Sequence, residues 1–326
     1  MAVYTQLGAE EMASIIEAFD VGTLTSAKGI AEGVSNSNWL IEAQAKDGTA
    51  RRFILTMYET RTDIADLPFF LDLLDHLAAR HCPVPRTIHD RSGSSHRLYK
   101  GKALALIEFL PGVSVSEPTA EQARAVGAAL AQVHLAAADF PTSRENSLGP
   151  GAWRQLLGAC GREGLESIHP ELARIVEHEL KVLSAHWPSD LPRGVIHADL
   201  FPDNVLMLGD KVMGLIDFYF ACTDITAYDI AVTHAAWCFN ADGSRFLPEL
   251  STALLEGYES TRHLAPAERS ALPLLARGAA MRFLATRAYD WMNTPEDALV
   301  TPKDPMAFAR RLEFYADPRN AEVFAA

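Results

Sequence analysis

Residues 194–218 read GVIHADLFPDNVLMLGDKVMGLIDF, and no other stretch restricts the fold so tightly. Two apolar runs, 204–208 and 211–216, flank Gly209-Asp210, a turn pair suited to a tight hairpin. Val195-Ile196 ends a short buried strand just ahead of them. The polar residues gather at the hairpin's open end: His197, Asp199 and Asn204 on the loop entering the first strand, Asp217 where the second strand leaves. Such a hairpin returns Asp217 close to Asn204.

The whole chain sets the frame for this site. Its 326 residues, 48% hydrophobic, are enough to bury one large core or two moderate ones. A formal net charge of -13 opposes a nucleic-acid partner, which needs a basic face to displace counterions. It leaves room for a local anion site built from backbone N–H groups and a metal. Cys82, Cys160, Cys222 and Cys238 are scattered, with neither a CxxC pair nor a Cys/His cluster, which predicts reduced thiols and a cytoplasmic protein. The N-terminal residues do not read as a signal peptide, and arginines interrupt the later apolar segments before membrane-spanning length, so no membrane partner is expected.

Along the chain, AEEMASIIEAF reads as a helix, and TLTSAKGI, NWLIEAQ and RRFILTMYE as strands of an antiparallel meander. In DLPFFLDLLDHLAARH the positions Leu67, Phe70, Leu71, Leu74 and Leu77 recur at three and four residues, with Pro68 in the first turn, so a helix is predicted there. RLYKGKALALIEFLPG reads as one or two strands closing at Pro111-Gly112. From TAEQARAVGAALAQVHLAAADF onward helical periodicity dominates. The fold class is α+β: a small antiparallel-sheet N-terminal lobe over 1–110 and a larger, mainly helical C-terminal lobe over 111–326, with a hinge near 107–114.

The spacing His197-x-Asp199-x4-Asn204, followed by Ile216-Asp217-Phe218, resembles the catalytic loop and metal-binding aspartate of the protein kinase-like phosphotransferases. Phosphoryl transfer needs a carboxylate beside the acceptor hydroxyl and oxygen ligands that hold Mg²⁺ against the nucleotide phosphates. The resemblance makes Asp199 the catalytic base and Asn204 with Asp217 the metal ligands. Asp203 and Asp210 read as turn formers, and His197 as a residue that packs and hydrogen-bonds the loop. A hydrolytic metal site with an activated water is a rival use of the same groups, but it leaves the strand-rich first lobe unexplained.

HADLFPDN in place of HRDxxxxN is similar to the aminoglycoside and choline phosphotransferase branch, whose acceptors are small molecules. Eight blocks in order, GIAEGVSNSNWL, FILTMYE, DLPFFLDLLDHLA, GVIHADLFPDNVL, GLIDFYFAC, AYDIA, LARGAAMRFLATRAYDW and KDP, look like the bacterial homoserine kinases built on this fold. That resemblance implies MgATP-dependent phosphorylation of the L-homoserine hydroxyl to O-phospho-L-homoserine, a step toward threonine. ATP and Mg²⁺ are the implied cofactors and L-homoserine the implied partner; oligomeric state is not legible.

Two departures from the general kinase pattern matter. The first loop, Gly29-Ile-Ala-Glu-Gly33-Val-Ser-Asn-Ser, is not GxGxxG, although Gly29, Gly33 and Ser35 are candidates to present backbone amides to phosphate. Thr56 stands where the third strand usually carries a lysine, and Lys28, Arg51, Arg52 and Arg61 are candidate substitutes. The resemblance puts the adenine at the backbone of Glu108, Phe109 and Leu110.

An amino-acid acceptor calls for an arginine against its carboxylate. Among Arg277, Arg282 and Arg287, which diverge by about 140° per step on a helix, Arg282 is the chosen ligand, sharing a face with Tyr289. Tyr219, Tyr228, Trp237 and Trp291 are candidate walls, Asp229 a structural brace, and His134 a packing residue. Two other activities stay open: a kinase of the same fold acting on choline, an aminoglycoside or another amino alcohol, and a nucleotide-binding pseudokinase, motivated by Thr56 and the imperfect loop.

Overall fold

Side-chain alternation decides the first part of the chain. A computed structural model describes residues 5–30, 36–59, 63–295 and 301–325. The chain divides into two compact units, Met1–Pro111 and Gly112–Ala326. In the first, helix α1 (Ala9–Glu17) precedes strands β1 (Thr23–Ile30), β2 (Asn36–Gln44) and β3 (Ala50–Tyr58). After α2 (Leu67–Ala79) come β4 (Thr87–Ile88), β5 (Arg97–Tyr99) and β6 (Lys102–Glu108). All pairings are antiparallel in the order β1-β2-β3-β6-β4, with β5 on β6.

Alternate residues Trp39, Ile41, Phe53, Leu55, Met57, Leu104 and Leu106 face one side of this sheet, where they form a core with Met12, Ile15 and Ile16 of α1. Asn38 and Thr56 fall on the other parity and oppose each other directly. Helix α2 buries the periodic positions Leu67, Phe70, Leu71, Leu74 and Leu77, with Pro68 in its first turn. Its Asp75 accepts the Thr87 N–H at 3.0 Å, tying the helix to β4.

The second unit is built on helices. They are α3 (Ala120–Ala136), α4 (Pro150–Ile168), α5 (Leu172–His186), α6 (Thr226–Trp237), α7 (Pro248–Glu259), α8 (Pro266–Asn293) and α9 (Met306–Ala316). Helix α6 is buried on every side, as an apolar segment without a polar face must be. Helices α3 and α7 approach until a Cβ on Gly127 would lie 2.1 Å from the Leu254 carbonyl oxygen, and one on Gly257 2.0 Å from that of Arg124. Only glycine fits at either position.

Two short ladders interrupt the helices: β7 (Arg193–Ile196) pairs with β10 (Cys222–Ile225), and β8 (Val205–Leu208) with β9 (Lys211–Leu215). Gly209, at φ +60°, supplies the left-handed residue of the β8–β9 turn. Both strands of the β8–β9 hairpin are one residue shorter than the sequence suggests, β8 starting at Val205 and β9 ending at Leu215. Pro202–Asn204 forms a 3₁₀ turn, because Pro202 presets the turn dihedral and Asn204 donates its N–H back to Phe201. Among the described residues, no helix is long and apolar enough to cross a membrane.

Candidate active site

The loop between β7 and β8 and the residues after β9 carry the polar cluster, and all of it lies in the second unit. The Ile216 N–H donates to the Asn204 carbonyl at 3.0 Å, so the hairpin sets Asp217 beside Asn204. His197 is fully buried and knits the two chain segments together. Its Nε2 donates to the Ile216 carbonyl at 2.9 Å, and its Nδ1 accepts the Asp199 N–H at 3.2 Å. Burial holds its pKa below the ordinary histidine value, which keeps the ring neutral and both bonds intact.

Asp199 is oriented from two sides. Asn204 Nδ2 donates to its carbonyl at 2.8 Å and to its carboxylate Oδ2 at 3.3 Å, while Arg282 Nη2 lies 3.7 Å from Oδ1. Withdrawal from water pushes the Asp199 carboxyl above its usual range, and the Arg282 charge opposes that rise. Asp217 reaches solvent. Even so, the protein packed around its carboxyl removes enough water to push it up to about 7, and the negative charges of Asp199 and Asp203 add to the effect.

The backbone around this loop is unusual. Ala198 and Asp217 both adopt left-handed φ of +65°, a costly conformation for residues with a Cβ. Asp229, fully buried on α6, accepts the N–H groups of His197 and Ala198, each at 2.7 Å. Although burial opposes its charge, the bond from His134 Nε2 at 3.0 Å and the two backbone donors hold Asp229 below the usual carboxylate range. The Tyr258 hydroxyl donates to His134 Nδ1 at 2.8 Å and accepts from Arg262 at 3.1 Å, and Arg262 pairs with Glu268 at 2.7 Å. Trp237 Nε1 donates to the Leu200 carbonyl at 2.9 Å. AYDIA thus marks the brace, whereas sequence alone gave no sign of the Tyr258 and Trp237 contacts.

The remaining sequence candidates fall in several places. Gly29 lies in β1 opposite Trp39 rather than in a loop, and Gly33, Ser35 and Arg61 lie outside the described residues. Thr56 is buried and donates to Asn38 Oδ1 at 2.8 Å. Lys28 and Arg51 are exposed, and Arg52 pairs with Glu42. Glu108 pairs with Arg86 at 3.1 Å, its N–H donating to the Arg86 carbonyl; Phe109 and Leu110 follow it, partly buried and outside any strand.

The three arginines of α8 diverge as the helical angle requires. Arg277 makes two bonds to Glu179 of α5, Arg282 turns to the Asp199 loop, and Arg287 donates to the Asp304 carbonyl at 3.1 Å. Tyr289 is exposed and Trp291 more so, whereas Tyr228 and Trp237 belong to the core and Tyr219 is partly buried.

The donor set suits a hard cation. Asn204, donating through Nδ2, keeps its amide oxygen as an acceptor, and the Asp217 carboxylate has no hydrogen-bond partner among the described residues. Among those residues no group of three or more His, Cys, Asp or Glu side chains forms a complete metal cage. Mg²⁺ needs none, since it keeps waters and takes one or two protein oxygens together with phosphate.

The architecture is that of small-molecule kinases with a two-lobed α+β, protein kinase-like fold. The chain is similar to a solved amicoumacin kinase in complex with AMP-PNP and Ca²⁺ (TM-score 0.69, 16% identity, 95% of this chain and 94% of that one). It is similar also to spectinomycin phosphotransferase in complex with ADP and spectinomycin (TM-score 0.69, 14% identity, 99% of each chain). A choline kinase from Cryptosporidium parvum superposes with a TM-score of 0.65 at 15% identity, covering 97% of this chain and 96% of that one. Residues 26–268 match the model of the phosphotransferase enzyme family, and the chain belongs to that family. Homoserine kinase of Azorhizobium caulinodans is 51% identical over 324 residues, 99% of each chain. That of Zymomonas mobilis is 48% identical over 318 residues, 97% of this chain and 98% of the relative.

Proposed function

We propose that this chain is a homoserine kinase, which transfers the γ-phosphoryl group of ATP to the side-chain hydroxyl of L-homoserine and so supplies O-phospho-L-homoserine for threonine biosynthesis. The likeness to homoserine kinases at about half identity across nearly the full length of both chains carries this reading. A bonded Asp199–Asn204 pair beside Asp217 supports it.

In the reaction, Asp199 orients the acceptor hydroxyl and takes its proton as that oxygen bonds to the γ-phosphorus and the bond to the ADP oxygen breaks. Asp217 and the Asn204 amide oxygen would hold Mg²⁺, which neutralises charge on the phosphates. We assign nucleotide contacts to the backbone at Gly29, Gly33 and Ser35 and at Glu108, Phe109 and Leu110. Thr56 offers no cation, so backbone amides carry more of the phosphate binding than in kinases with a lysine there. ATP supply and four buried cysteines, none of them in a disulfide, fit the cytoplasm.

The direct test is ADP release from MgATP by the purified protein against L-homoserine, D-homoserine, L-serine, choline and kanamycin. Stimulation by L-homoserine alone is expected. Stimulation by another acceptor alone transfers the reading to a different small-molecule kinase, and silence with intact ATP binding identifies a pseudokinase.

A further inference from the structure

Arg282 is a charged side chain sealed inside the second unit: only 2% of it is exposed. Its Nη1 donates to the Ala198 carbonyl oxygen, and its Nη2 faces Asp199 Oδ1 at 3.7 Å. The guanidinium carbon lies 4.5 Å from the centroid of the Phe283 ring and 5.4 Å from that of Phe220, so its planar group is fixed in place by apolar faces. A buried cation held this way is costly unless it does something the fold requires.

What it holds is the residue immediately before the proposed base. Ala198 sits at φ +65°, where a side-chain-bearing residue stays only if its surroundings fix it. The peptide on its N-terminal side is fixed by the N–H bond to Asp229, and the peptide on its C-terminal side by the carbonyl bond from Arg282. Asp229 therefore restrains one dihedral of Ala198, and Arg282, together with the Asp199 N–H bond to His197 Nδ1, the other. The direction in which Asp199 leaves the backbone follows from both. On the carboxylate itself, Arg282 faces Oδ1 and Asn204 faces Oδ2, so rotation about the side chain is restrained as well.

We propose that Arg282 is a positioning residue for phosphoryl transfer, aiming Asp199 at the acceptor hydroxyl rather than binding the acceptor's carboxylate. This rests on Asp199 being the base. The guanidinium is already committed to main chain and loop, and its Nε is buried without a partner among the described residues, which leaves no exposed fork for a ligand.

The test is steady-state kinetics of the full chain and of Arg282→Lys and Arg282→Ala, normalised to ATP-binding sites. Acceptors are L-homoserine and 3-aminopropan-1-ol, which lacks the carboxylate, and acceptor-free ATP hydrolysis is followed in parallel. Arg282→Lys keeps charge but loses the fork. Its kcat should fall about 100-fold, the scale of an ångström of misplacement, with both KM values within about threefold of wild type and the same fractional loss on either acceptor. Added guanidinium ion should restore part of the turnover of Arg282→Ala.

A raised KM for L-homoserine with kcat retained, and undiminished turnover of 3-aminopropan-1-ol, would make Arg282 a carboxylate ligand and overturn the proposal. Unchanged kinetics in a protein of lower melting temperature would also overturn it, leaving a purely structural arginine. Should Arg282→Ala not fold, the lysine variant decides. If wild type fails to phosphorylate L-homoserine, the functional reading fails, and the acceptor-free hydrolysis of wild type and Arg282→Lys still reports on the arginine.

Discussion

The Asp229 carboxylate accepts the backbone N–H of Ala198 at 2.7 Å while Ala198 holds a left-handed φ of +65°. A side chain on a fully buried helix thereby imposes a backbone conformation on the loop that carries Asp199. Asp229→Asn keeps one acceptor oxygen but turns an NH₂ toward a backbone donor. A buried network broken on one side costs about 3 kcal/mol, and turnover should fall with it. Thermal unfolding together with kcat checks this, and retention of both would deny Asp229 its bracing role.

Asp199→Asn preserves shape and the bond to Asn204 but removes the proton acceptor. Folding and ATP affinity should be unchanged, while kcat drops by about 10³-fold, within the range for loss of a general base. Single-turnover phosphoryl transfer is the measurement, and wild-type rates would exclude Asp199 as the base.

Asp217→Ala removes the carboxylate assigned to the cation. ATP affinity measured with Mg²⁺ should weaken by at least about tenfold, whereas affinity in EDTA should change little. Calorimetric titration under both conditions separates the two, and an unaltered Mg²⁺ dependence would show that the ion is held elsewhere.

His234 gives a pH signature. Burial between Tyr315 and Ser251 pushes its pKa down to about 3, so the folded protein keeps it neutral while the unfolded chain protonates near the ordinary value of 6.5. The unfolded state then binds more protons, so this contribution to stability is fully present above pH 6.5 and declines as the pH falls toward 3. The loss between pH 6.5 and 5 comes to about 2 kcal/mol at most, the slope rising from half of its limit at pH 6.5 toward roughly 1.4 kcal/mol per pH unit. The stability advantage of wild type over His234→Gln should shrink by that amount across the interval, as followed by urea unfolding. A difference independent of pH would place the histidine's titration outside this range.

Gly127→Ala tests the crossing of α3 and α7. The added methyl meets the Leu254 carbonyl at 2.1 Å, closer than any real contact, so the helices must separate. A loss of about 3 kcal/mol, at the upper end of overpacking costs, is expected in denaturant unfolding. Wild-type stability would mean that the helices can separate without loss of packing.

How much was legible in the sequence varies with the range of the interaction. Strand alternation in Trp39, Ile41, Phe53 and Leu55, the helical spacing from Leu67 to Leu77, and the Gly209 turn are all written within a few residues, and the structure contains each of them. The proximity of Asp217 to Asn204 was also legible, because a tight hairpin permits one register. The start of β8 was not, since the 3₁₀ turn at Pro202–Asn204 competes locally with the strand.

The arginines of α8 mark the boundary between the two kinds of information. Helical geometry fixes that Arg277, Arg282 and Arg287 point in different directions. It does not say what lies in each direction. That Arg277 meets Glu179, that Arg282 closes on Ala198 across 84 positions of chain, and that Arg287 meets Asp304 depends on how α8 packs against α5, α9 and the β7–β8 loop. The sequence by itself determined the elements, the polar constellation and the family resemblance, because these depend on local periodicity and spacing. The tertiary structure alone decided the partners of the buried charges, because a buried ion is defined by neighbours that only long-range packing brings to it.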